Sequence, residues 1–177
     1  MAHGSAPASG AWLVTTLASL LLGLVGAVGL AALLGGTPGR RFSAGALVFL
    51  LAGTVVFVPV LGLIGVAGPA LARIPTSTGA AGYIFDSTAA RLLGEGGLTL
   101  LGVGWVVMGV AVLGARILNR VDGLLLVLAV CVAVASEYLS WQFLFVVAAM
   151  IMVAGGLGLA WSAWRLTPDG RLPDDFP

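Results

Sequence analysis

The chain has 177 residues, 60% of them hydrophobic and 8% charged, with eight basic side chains against seven acidic and a net charge of +1. A soluble domain carries about 25% charged residues. This composition, with a mean hydropathy of +1.14, excludes an ordinary water-soluble globule and makes lipid the solvent for most of the surface. Near-neutrality excludes a phosphate-neutralising nucleic-acid binder, and a single cysteine, Cys131, excludes an internal disulfide and a CxxC redox pair.

Residues 1–10 hold no ionisable side chain beyond His3 and read as a short disordered tail. The apolar stretch 11–34 follows. It is longer than the core of a secretory signal, about 7–15 residues, and lacks the basic start, so it predicts a retained transmembrane helix. Gly35-Gly36-Thr37-Pro38-Gly39 ends it ahead of Arg40 and Arg41. A second apolar run covers 43–71, with Pro59 in its middle removing a backbone donor and predicting a bend. Pro75-Thr76-Ser77-Thr78 then breaks the chain.

Residues 76–96 lie outside the apolar runs. Ala81, Ile84, Phe85, Thr88 and Leu92 recur there at helical spacing, which predicts a short external helix lying in the interface or capping the bundle. Gly94, Gly96 and Gly97 predict a sharp re-entry. The third span is expected over 98–118. Asn119-Arg120-Val121-Asp122 reads as a tight polar turn with Asp122 as N-cap of a short fourth span, 123–138. Leu139-Ser140 makes another turn, a fifth span covers 141–164, and the proline-rich tail 165–177 is predicted irregular.

About 20 apolar residues are needed to cross about 30 Å of hydrocarbon. Runs one, two, three and five meet this; the fourth is shorter and would rely on its neighbours. The expected fold class is all-α, a single transmembrane domain forming an integral membrane bundle of five helices. Arg40, Arg41, Arg116, Arg120, Arg165 and Arg171 then share one side and Arg73 and Arg91 the other. The positive-inside rule places the N-terminus outside and the C-terminus in the cytoplasm of a cell membrane. Trp12, Tyr138 and Trp141 fall at the outer interface, and Phe42, Trp161 and Trp164 at the inner one. Gly23/Ala27/Ala31 and Gly156/Ala160 would allow helices to approach closely, although such pairs also arise by chance among 27 glycines.

Little in the sequence points to chemistry. A histidine confined to the tail excludes a bis-histidine haem and a histidine-rich metal site. The absence of lysine excludes Schiff-base catalysis, and no glycine cluster carries the GK[ST] of a P-loop. No catalytic, cofactor-binding or metal-binding residue is assigned, and no cofactor is expected. The candidate partner or ligand contacts are Glu137 with Gln142, the group Asp86, Arg91 and Glu95, and Trp105. Glu137 closes the fourth span, where it would bind a cation, a proton or a partner's arginine, or simply be hydrated at the boundary. Arg91 and Glu95, four apart, also fit an exposed helical ion pair. Trp105 lies inside the third span, where plain packing competes with a polar, lipid or pigment contact.

Arginine to the exclusion of lysine, with abundant glycine, alanine, leucine and valine, fits a high-GC prokaryotic genome. The arginine turn, the short span and the final helix ending Trp161-Ser162-Ala163-Trp164-Arg165 resemble uncharacterised small polytopic membrane proteins of high-GC bacteria. The resemblance covers roughly the C-terminal 80 residues, 98–177, and implies no activity. The leading expectation is a non-catalytic membrane subunit or assembly factor, surrounded by lipid and held to partner subunits or to further copies of itself. A small oligomeric transporter or channel, using Pro59 and the nearby glycines as a broken helix, comes second. A lipid-modifying enzyme comes third.

Overall fold

The computed structural model describes residues 6–63, 66, 88–139 and 141–166, with the side chains of 6–12, Glu137 and Gln142 left out of that description. The chain is all-α: α1 (Ala6–Leu33), α2 (Arg40–Gly62), α3 (Thr88–Ala115), α4 (Arg120–Leu139) and α5 (Gln142–Leu166). Four helical stretches, Leu13–Gly36, Arg40–Gly62, Thr88–Ala115 and Phe143–Leu166, are long and apolar enough to cross a membrane. Their surfaces fit that solvent, with Leu22, Val55, Phe143 and Leu157 among the large apolar side chains left exposed. Several hydroxyls within the spans are satisfied inside their own helices, where hydrocarbon offers no water. Ser19, Thr54 and Thr99 each donate to the carbonyl four residues back, at 2.8, 2.7 and 2.7 Å.

Several boundaries differ from the sequence-based expectation. Helix α1 already begins at Ala6, within the stretch expected to be a disordered tail. A one-turn 3-10 helix, Leu34–Gly36, follows it, and Thr37 then accepts from the Gly39 amide at 3.2 Å. Helix α2 contains Pro59 and continues through Gly62. The expected extension of that span to 71 lies outside the described residues, apart from Leu63 and Val66. The interfacial segment 76–96 is described only from Thr88, and there it is the first part of α3 rather than a separate element. No re-entry occurs at Gly94, Gly96 and Gly97; the helix passes through all three. The irregular tail 165–177 is described only at Arg165 and Leu166, the last residues of α5.

Contacts along the chain group into two compact units. The first comprises residues 1–27 and 48–103. Here α2 and α3 meet backbone to backbone. A Cβ added to Gly53 would lie 2.8 Å from the Leu101 amide nitrogen and 2.9 Å from the Gly97 carbonyl oxygen. One added to Gly97 would lie 2.9 Å from Cβ of Phe57. These distances are shorter than carbon tolerates, so glycine is what permits the approach.

The second unit comprises residues 28–47 and 104–177. Gly39, just before α2, sits against the carbonyl of Ala111 in α3, 2.6 Å from where its Cβ would be. Helices α3 and α4 cross at Gly109 and Gly123, each 2.8–2.9 Å, from a notional Cβ, to the other's carbonyl oxygen. Helices α4 and α5 pack as an antiparallel hairpin whose link is only Ser140 and Trp141. Met108, Val112, Leu126 and Leu159 fill the apolar levels between these contacts.

Candidate functional site

The buried polar side chains among the described residues are Ser43, Asp122 and Ser136. Each lies in the first or last turn of a helix. Ser43 donates to the Arg40 carbonyl at 2.9 Å and Ser136 to that of Ala133 at 2.6 Å. Among the described residues, no buried side-chain nitrogen or oxygen lacks a hydrogen-bond partner.

Asp122 is the exception in reach, because its partner lies on another helix. The sequence assigned it the N-cap of α4; the structure gives that position to Asn119. The Asn119 side-chain oxygen accepts from the Val121 amide at 3.1 Å and its backbone carbonyl from the Asp122 amide at 3.2 Å. An Asn-capped helix begins one residue after the cap, and α4 accordingly begins at Arg120. Asp122 thereby becomes the third helical residue, 6% exposed and turned toward α5. Ser162 Oγ donates to its Oδ2 at 3.4 Å, and the missing side chain of Gly158 leaves the space the carboxylate occupies. Gly155, one turn earlier, lets Leu125 and the Asp122 carbonyl close in on α5. The negative charge at the start of α4 is favourable toward the helix dipole.

Gly155, Gly158 and Ser162 recur at three- and four-residue spacing on one face of α5. That pattern, opposite an acid in the first turn of the preceding helix, is the signal that could have revealed the contact. The pair expected to mediate close packing, Gly156/Ala160, is instead exposed, with open space around Gly156.

The five described arginines of this unit are also placed by these contacts. Arg40 and Arg41 open α2 beside the end of α3, Arg116 follows α3, Arg120 opens α4, and Arg165 lies in the last turn of α5. All five are exposed. Arg116 has φ 57°, the left-handed conformation that usually falls to glycine just past a helix end. The Arg165 guanidinium lies 5.1 Å from the centre of the Trp161 ring, within cation–π range. Phe42, Trp161 and Trp164 are exposed at this end, and Tyr138 and Trp141 at the far end of the α4–α5 hairpin. Aromatic side chains at both ends of a span fit two membrane interfaces.

Against this geometry, no family model, no curated protein and no solved structure matches the chain.

Of the residues singled out from sequence, Arg91, Glu95 and Trp105 have described side chains. Arg91 and Glu95 form an i,i+4 ion pair at 4.0 Å, with side chains 72% and 70% exposed, which is the solvated-face arrangement. Asp86 lies outside the described residues, as do the side chains of Glu137 and Gln142. The backbone puts Glu137 in the last turn of α4 and Gln142 at the start of α5, where the Trp141 amide donates to the Ser136 carbonyl at 3.2 Å. Trp105 is half-buried in α3.

Proposed function

We propose that the chain is a non-catalytic integral membrane subunit or assembly factor with five crossings, its N-terminus outside and its C-terminus in the cytoplasm. Four helices of spanning length and composition support the membrane setting. The fourth helix, α4, has 20 residues, about 30 Å at 1.5 Å per residue, and serves as the fifth crossing.

The observation that carries the reading is the position of the buried polar side chains. Among the described residues they sit in terminal turns, and the levels between are packed by glycine, alanine, leucine, valine and methionine. Conducting or transporting proteins place ionisable or polar groups at mid-depth to meet their substrate. A body packed by close backbone approach favours a scaffold that docks to other membrane helices.

The test is purification of the full chain in mild detergent at native expression level. A membrane protein recovered in fixed stoichiometry, whose own assembly fails when this chain is deleted, is the expected result. Recovery of the chain always alone, or solute flux above empty vesicles after reconstitution, overturns the reading.

A further inference from the structure

We propose that the arginine-bearing end of the second unit is a binding surface for the headgroups of anionic phospholipids. The inference rests on the membrane setting but not on the subunit reading, so either can fail alone.

Contacts within the unit gather these cations. Gly39 against Ala111 brings the start of α2 to the end of α3. The Asn119-capped turn joins that end to the start of α4. Asp122 against Gly158 and Ser162 brings the start of α4 to the last turns of α5. Arg40, Arg41, Arg116, Arg120 and Arg165 thus share one end, and all point into the surroundings. Among the described residues the acid of this end is Asp122, and it is buried against α5. Among the described residues the outward charge presented at this end is therefore positive. Guanidinium forms two parallel hydrogen bonds to a phosphate, and basic side chains at the membrane surface attract anionic lipid.

Two further observations point to the headgroup layer. Phe42, Trp161 and Trp164 are exposed at the same end, and such rings settle at headgroup level; Trp161 also carries Arg165 on its face. Arg116 holds a left-handed backbone that glycine would adopt without strain. A positive charge anywhere in these turns would satisfy membrane orientation. A strained arginine at this corner is explained by what its side chain meets.

The full chain, purified in mild detergent, is titrated with phosphatidylglycerol, phosphatidylcholine and inorganic phosphate, and binding is followed by native mass spectrometry and thermal unfolding. Phosphatidylglycerol is expected to bind and to raise the unfolding temperature, with the effect shrinking as salt rises; the other two are expected to do neither at equal concentration. R116Q/R120Q should weaken phosphatidylglycerol binding roughly ten- to thirtyfold. R91Q, in the other unit, should leave it unchanged. R116G should unfold within a few degrees of the parent, since it relieves strain, yet bind phosphatidylglycerol several-fold less tightly. Equal binding of the two lipids, or undiminished binding by both R116G and R116Q/R120Q, overturns the proposal. An equal response to inorganic phosphate replaces a lipid surface with a free-anion site and overturns it as well.

Discussion

Asp122 has little room to change. Its carboxylate fills the space left by Gly158 and takes its cross-helix hydrogen bond from Ser162, so a single methyl at position 158 must displace it. G158A is expected to destabilise the hairpin by about 1–3 kcal/mol, the usual range for overpacking, read as unfolding in detergent. Because the clash is with this one side chain, D122A/G158A should be more stable than the two separate losses predict. Simple additivity of the single variants would show that the contact is not the cause. The exposed Arg91–Glu95 pair contrasts with this: E95Q should change stability by about 0.3 kcal/mol, as for an isolated helical pair. The sequence points to Asp122 as the cap, although Asn119 is an equally good capping residue. What decided between them is forty residues away in the chain, on the glycine face of α5, and local spacing carries no record of it.

Glycine acts in these helices as a contact surface rather than as a break. In water, a cluster such as Gly94, Gly96 and Gly97 weakens a helix because the freed backbone can be hydrated. In hydrocarbon the backbone has no alternative partner, and the helical hydrogen bonds persist. The missing side chain of Gly97 then admits Phe57 of α2, while Val60 lies in ordinary contact with Gly94. The expected re-entry is instead a continuous α3. G97A and G53A should each disturb the first unit by about 1–3 kcal/mol, and G109A should do the same in the second. G156A, with nothing within 4 Å of the added methyl, should be neutral or slightly stabilising through its better helix propensity. A comparison of unfolding temperatures across these four variants checks the assignment; equal effects at Gly97 and Gly156 would refute it. Sequence spacing pointed to glycine packing in general, but within the chain α4 meets Gly155 and Gly158 of α5 rather than Gly156, because 27 glycines offer many registers and only the neighbouring helix selects one.

For the molecule as a whole, composition was the strongest signal, since 8% charge leaves few alternatives to lipid. The chain is expected to stay in the membrane pellet through an alkaline carbonate wash, and release into the supernatant would contradict the spans. Cysteine labelling in sealed vesicles, starting from C131S, tests the proposed topology. A cysteine at Gly36 should be labelled from the cytoplasmic side and one at Trp141 from the outside; the reverse pattern inverts the orientation, and labelling of both from one side removes α4 as a crossing. Run lengths made most helices legible in advance. The long-range contacts of the second unit were not, because they join residues far apart in sequence. The brevity of the α4–α5 link, Ser140 and Trp141, also bears on biogenesis. Helix α4 carries Arg120, Asp122 and Glu137 and is the most polar of the five, hence the least able to partition into the bilayer by itself. If α4 is the proposed fifth crossing, this short tether to an apolar successor would make it enter as one limb of a U-shaped wedge, and a ribosome stalled before α5 emerges would leave α4 waiting at the translocon.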